Sequence, residues 1–226
     1  MEFYTTPYMK NISGIQQGIA LDIDDTLSWT CREWVDHIFR EFGNPENLSK
    51  GEFAKKYHLV QNAQYFQRDD VLARCMQFCY DERYYQELPS IEDALPAINE
   101  ISRIIPIVAY LTTRPELLRK ITDEWLVRHN FPAVPLIMNP HEFSHGITAT
   151  WKSKALEERY PMILGIIDDN PSICEGLSSE YRGTVFLYGH GDADVPHPRS
   201  IACSDWNDVA KKITEHYLCQ SSERVK

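Results

Sequence analysis

Ile19-Ala20-Leu21-Asp22-Ile23-Asp24-Asp25-Thr26-Leu27 decides the fold. An apolar run carries a set of acids to its end and then turns polar, the pattern of a buried strand that delivers carboxylates to a site. A short apolar run bounded by turn residues fits a strand inside a parallel sheet, and such sheets bind ligands at the carboxyl ends of their strands. Clustered acids there are costly unless a cation neutralises them. Oxygen-only ligands suit a hard ion, and Mg²⁺ typically takes one or two carboxylates, several waters and the phosphate oxygens of a substrate. The bland alternative is an acidic turn after a strand, because Asp is common in turns.

Partners to this strand weaken that alternative. Ile104-Ile105-Pro106-Ile107-Val108-Ala109-Tyr110-Leu111 is an apolar run ending in Thr112-Thr113-Arg114-Pro115. Met162-Ile163-Leu164-Gly165-Ile166-Ile167 is another, ending in Asp168-Asp169-Asn170-Pro171. Between them Trp151-Lys152-Ser153-Lys154-Ala155-Leu156 opens a short helical pattern. The order Asp-x-Asp-x-Thr, strand-Thr, Lys, strand-Asp-Asp resembles the four motifs of the haloacid dehalogenase (HAD) superfamily of phosphohydrolases, over residues 19 to 172. Any single motif is weak, whereas four in order with three at strand ends make a specific signal.

The resemblance implies an α/β fold, a HAD-like Rossmannoid core with a parallel sheet, and a role for each matching residue. Asp22 matches the nucleophile, whose carboxylate attacks phosphorus and splits hydrolysis into two displacements through an aspartyl phosphate. Asp24 matches the acid/base that protonates the leaving oxygen and later activates water. Thr112 matches the hydroxyl that holds a phosphate oxygen. Lys152 matches the cation that neutralises the transferring group, and Lys154 is the alternative. The implied cofactor is Mg²⁺, held by Asp22, the backbone carbonyl of Asp24 and Asp168, with Asp169 supporting the shell or ligating directly. An acid at position 24 favours a phosphatase over a dehalogenase, and phosphomutases keep it too. Trp29, close behind the first motif, and Arg114 are the candidates for substrate specificity.

Length and composition agree with one compact enzyme. At 226 residues the chain can bury a full core and carry a small accessory module. No apolar run approaches the roughly 20 residues of a membrane span, and Met1-Glu2-Phe3-Tyr4-Thr5-Thr6-Pro7 shows neither the basic nor the apolar region of a secretory signal, so the expected location is cytoplasmic. A net charge of −10 disfavours nucleic acid, whose binding relies on many Lys and Arg contacts to phosphate. The expected partner is a small phosphorylated substrate. Cys31, Cys75, Cys79, Cys174, Cys203 and Cys219 form no Cys-x-x-Cys pair and read as buried thiols.

The spacing between motifs sets the organisation. Residues 1–27 and 90–226 are expected to form the α/β core, and 28–89 an inserted, all-helical cap. Thr30-Cys31-Arg32-Glu33 has the pattern of a capping box, followed by Trp34, Val35, Ile38, Phe39 and Phe42 at helical spacing. Ser49 to Glu52 starts a second helix, and Val71, Leu72, Cys75, Met76 and Cys79 mark a third. A helical insert after the first motif resembles the C1 cap of the superfamily, which closes over the site and selects substrates. Asp-Asp-Asn-Pro with such an insert is similar to the 5′-nucleotidase branch, although the first motif departs from that branch's Asp-Gly-Val. Thr-x-Arg-Pro with Trp125-Leu126 and Phe131-Pro132 resembles polynucleotide 3′-phosphatase domains, an option that the net acidity lowers. A phosphate sensor that kept the fold without turnover is the non-catalytic alternative.

Two clusters read as decoys. His141-Glu142-Phe143-Ser144-His145 fits the His-Glu-x-x-His pattern of zinc peptidases, but that mechanism needs a helix and Pro140 and Gly146 crowd the segment into a loop. His190, Asp192, Asp194 and His197 lack a regular ligand spacing and read as a solvated loop.

Overall fold

The computed structural model describes residues 16–57, 60–141, 147–191 and 197–223. Six strands form one sheet: β1 (Gly18–Leu21), β2 (Ile107–Pro115), β3 (Leu136–Asn139), β4 (Ile163–Asp168), β5 (Thr184–Tyr188) and β6 (Ser200–Cys203). Their order is β3-β2-β1-β4-β5-β6 and every pairing is parallel. β1 lies in the middle, so its four residues are apolar without alternation, as a strand covered on both faces requires. Gly18 starts it because a Cβ there would stand 2.1 Å from the Pro106 carbonyl oxygen.

Side chains alternate across the sheet with a period of two, shifted in β2, where an extra residue lies opposite the step from Ile19 to Ala20. Ile19, Leu21, Ile107 and Tyr110 face a core shared with helices α5 (Ala94–Ile101), α6 (Arg119–Arg128) and α9 (Trp206–Glu223). Ala20, Ala109, Leu111 and Ile166 face the other way, onto α7 (Ile147–Glu157) and α8 (Ser172–Glu175). The result is the three-layer α/β architecture expected from the sequence. No helix among the described residues is long and apolar enough to cross a membrane.

Trp206 ties the second layer to the first motif. Its ring is buried, its centroid lies 5.4 Å from that of Tyr188, and its indole N–H donates to the Thr26 carbonyl at 3.1 Å. Trp206→Ala is expected to destabilise the fold by about 3–5 kcal/mol, the usual loss for a large aromatic in a core. Urea denaturation measures this directly, and a loss below about 1 kcal/mol would show that the ring is not needed there.

Between β1 and β2 the chain forms α1 (Thr30–Phe42), α2 (Lys50–Tyr57), α3 (Asp69–Phe78) and α4 (Glu82–Glu87). Ser49 and Glu52 cap α2 reciprocally, Ser49 N–H donating to the Glu52 carboxylate at 2.8 Å and Glu52 N–H to Ser49 Oγ at 3.2 Å. Phe53 is the centre of the small core beneath, with ring centroids 5.4 Å from Phe39 and 5.9 Å from Phe66. The outgoing and returning limbs run side by side, with Trp29 N–H on the Pro89 carbonyl at 3.0 Å and Ile91 N–H on the Leu27 carbonyl at 2.7 Å. α4 is docked on the sheet side: Trp125 Nε1 of α6 donates to the Leu88 carbonyl at 2.8 Å, and Arg128 Nη1 to that of Gln86 at 2.6 Å.

Several boundaries differ from the sequence reading. The strand read over 104–111 begins at Ile107 and continues to Pro115, because it keeps pairing with β3 beyond the apolar run. After β2 the chain makes a 3₁₀ turn at Glu116–Leu118 that leads directly into α6. β6, four residues with one partner strand, has no distinct signal in sequence. Thr30 does not cap α1; Trp29 holds the N-cap position without a side-chain bond, and the Asp25 carboxylate takes the Cys31 N–H at 2.8 and 3.0 Å.

Candidate active site

The carboxyl ends of β1, β2 and β4 converge, as the order of the sheet demands. Asp22 leaves β1 with its N–H on the Ile167 carbonyl at 2.9 Å, so the two acid-bearing strand ends are locked in register. Asp25 then adopts a left-handed conformation (φ 53°), which turns the chain back so that Leu27 N–H reaches the Ile23 carbonyl at 2.8 Å. The turn delivers Thr26, fully buried, to the gap between the strands: its hydroxyl lies 3.4 Å from Asp22 Oδ2 and accepts the Asp169 N–H at 3.1 Å.

Lys152 enters from α7. Its Nζ lies 2.5 Å from Asp22 Oδ1 and 2.6 Å from Asp168 Oδ2, and its side chain is 6% exposed, so both ion pairs are buried. Lys154 is exposed. Burial works against the Lys152 charge, but Asp168 and Asp22 outweigh it and hold the ammonium above its ordinary pKa. Burial pushes Asp22 up to about 7 against the pull of Lys152, and pushes Asp169 well up, helped by the charge of Asp25. One cation is thus too little for the acids gathered around it.

A divalent cation fits this imbalance. Oxygens of Asp22, Asp168 and Asp169 lie within 4.8 Å of one another. Asp168 Oδ1 takes the Asn170 N–H at 2.9 Å, whereas its buried Oδ2 has the ion pair with Lys152 and no well-aligned hydrogen bond. An all-oxygen set suits Mg²⁺. His190, missed in the sequence as anything but a loop residue, steadies the far side: its Nε2 is 2.6 Å from the Asp169 carbonyl.

Thr112 is fully buried at the end of β2, and its Oγ1 accepts the Arg114 N–H at 3.2 Å. Asp24 stands across the mouth from Lys152 with its carboxylate gripped on one side. Thr30 Oγ1 donates to Oδ1 at 2.6 Å, Arg114 Nη2 to Oδ1 at 2.8 Å and Arg114 Nε to Oδ2 at 3.0 Å. Burial alone would raise this carboxyl, but the Arg114 guanidinium outweighs it and holds Asp24 below the usual carboxylate range. The Thr30-to-Glu33 spacing that resembles a capping box therefore marks a residue whose hydroxyl serves the site.

Trp29 lies between the two limbs rather than open to a ligand on both faces. Its indole N–H points to Glu92 Oε2 at 3.4 Å, and the Arg32 guanidinium covers the ring at 3.3 Å from the centroid. Of the two decoys, His141 is exposed and uses its N–H on Asn139 Oδ1, while Glu142 to His145 lie outside the described residues. Asp192 and Asp194 lie outside them as well. The five described cysteines are buried thiols, as expected.

No family model matches the chain, and no curated protein matches it. Solved structures do. Mycobacterium tuberculosis Protein Tyrosine Kinase A is 14% identical, with 88% of this chain and 99% of that one covered at a TM-score of 0.60. The L-2-haloacid dehalogenase of Xanthobacter autotrophicus with chloropropionic acid covalently bound is 10% identical, with 88% and 98% covered at 0.52. A HAD-superfamily hydrolase of subfamily IA from Geobacter sulfurreducens is 9% identical, with 90% and 100% covered at 0.50. At such identities the likeness speaks for the fold alone, and the chain shares the α/β fold of these structures.

Proposed function

We propose that the protein is a Mg²⁺-dependent phosphomonoester hydrolase that works through an aspartyl phosphate on Asp22. The observation that carries this reading is the pairing of two carboxylates at one strand end with different surroundings: Asp22 between Lys152 and the acids of β4, Asp24 apart from them against Arg114 and Thr30. Two acids two residues apart with separate partners suit two tasks, nucleophile and proton carrier.

Asp22 Oδ2, the oxygen not held by Lys152, attacks phosphorus, and the ester oxygen leaves with a proton that Asp24 relays from the substrate's phosphate monoanion, because Arg114 keeps the Asp24 carboxyl below the usual carboxylate range. Asp24 then takes a proton from water as that water attacks the aspartyl phosphate, freeing phosphate and regenerating Asp22. Lys152 neutralises charge on Asp22 and on the phosphoryl oxygens, and Thr112 Oγ1 donates to one of those oxygens. A bound divalent cation would be held by Asp22, Asp168 and Asp169, and it would supply positive charge to the phosphoryl group. Residues 28–89 serve as the lid that shelters the leaving group. The substrate is a small phosphate ester, with nucleoside monophosphates among those to be screened; net charge disfavours a polynucleotide.

Activity is expected to require Mg²⁺, to vanish on chelation and to return on Mg²⁺ addition. Phosphate release from p-nitrophenyl phosphate measures it, alongside halide release from 2-chloropropionate, where none is expected. Halide release without phosphate release, or turnover supported by Zn²⁺ and not by Mg²⁺, would overturn the reading.

A further inference from the structure

We propose that Arg114 is a positioning residue for Asp24 and has no contact with substrate, an inference that rests on the phosphohydrolase reading. The guanidinium is enclosed, with 0% side-chain exposure. Nε and Nη2 grip the Asp24 carboxylate side-on, Nη2 also lies 3.4 Å from Ser28 Oγ, and Nη1 donates to Thr122 Oγ1 at 3.3 Å. The Tyr85 ring centroid lies 4.5 Å and the Trp125 ring centroid 6.0 Å from its central carbon. With no side-chain exposure, the guanidinium offers a ligand no surface.

Rigidity follows from what holds the box shut. Thr122 and Trp125 belong to α6, Tyr85 to α4, and α4 is fastened to α6 by the Trp125–Leu88 and Arg128–Gln86 bonds. Arg114 is therefore fixed by the scaffold before any substrate arrives, and it transmits that fixity to a carboxylate that the neighbouring acids would otherwise push aside. A planar fork can do this and a lysine ammonium cannot, because two parallel N–H bonds set an orientation where a point charge sets only a distance. Thr30 completes the grip on Oδ1 and is itself 2.8 Å from Ser28 Oγ. Oδ2, with a single strong donor, is the oxygen left free to meet the leaving group and the water.

The test is a kinetic cycle of Arg114→Lys, Asp24→Asn and the double variant in the full-length protein, with p-nitrophenyl phosphate and an alkyl phosphate. Arg114→Lys is expected to lower kcat by about 10²-fold, the cost of misplacing a reacting group by about 1 Å, with KM within about 3-fold of wild type and the larger loss on the alkyl ester. In the Asp24→Asn background the same change should add almost nothing. A raised KM with unchanged kcat would make Arg114 a substrate contact, and a full additional loss in that background would overturn the proposal. Should Arg114→Lys fail to fold, Thr30→Val removes the other donor and Thr30→Ser restores it; loss in the first with recovery in the second supports the grip, and loss in both overturns it. An independent readout is the Arg114 Nε–H signal by NMR, expected to be protected from exchange in wild type and unprotected in Asp24→Asn. Protection without any phosphate release would refute the phosphohydrolase reading while leaving the grip standing, whereas turnover with an unprotected Nε–H would do the reverse.

Discussion

Asp22→Asn is expected to remove phosphate release by on the order of 10⁴- to 10⁶-fold, the scale seen when a covalent nucleophile is deleted. An amide has no anionic oxygen to attack phosphorus, and it withdraws charge from the place where Lys152 and the cation must be held. The fold should survive. The substitution leaves Lys152 paired with Asp168 at 2.6 Å and relieves the cost of burying a carboxylate that is only 6% exposed. Single-turnover assays read the chemistry and circular dichroism melting reads the fold. Turnover within about 10-fold of wild type would remove Asp22 from the mechanism.

Asp24→Asn is expected to slow turnover by about 10²- to 10⁴-fold, the usual worth of a positioned acid/base. The side chain keeps its shape while losing one of the two acceptors that Arg114 grips, so phosphate should bind as before. The loss should be smaller for p-nitrophenyl phosphate, whose leaving group needs little help from a proton, than for an alkyl phosphate. An unchanged kcat on both esters would exclude proton transfer by Asp24.

The sequence was most legible where strand and chemistry coincide. The apolar runs before Asp22, Thr112 and Asp168 mark β1, β2 and β4, and buried parallel strands cannot be written any other way. Lys152 could be told from Lys154 only by which face of α7 meets the acids, because both belong to the same short helical pattern. The grip on Asp24 was not legible, since Arg114 lies 90 positions away in sequence and its partners come from α4, α6 and the limb at Ser28. Thr30 misled because a Thr three residues before a Glu signals a cap only if nothing competes for its hydroxyl, and here Asp24 does, at 2.6 Å. Trp29 was read for its nearness to the first motif, while its contacts are with Arg32 and with Glu92, a side chain that no spacing in the sequence links to it.

The place of β1 at the centre of the sheet has a consequence for synthesis. Among the described residues β1 is the first strand to be synthesised, yet Ile19 pairs with Ile107 and Leu21 with Ile167. Its backbone N–H and C=O groups therefore wait until Ile107 and Ile167 have been made, while the helices from Thr30 to Glu87 can form from local contacts as they emerge. During that interval Ile19-Ala20-Leu21 is an unpaired strand beside a partly built helical unit, the stage at which a nascent chain is most prone to aggregate and most in need of a chaperone.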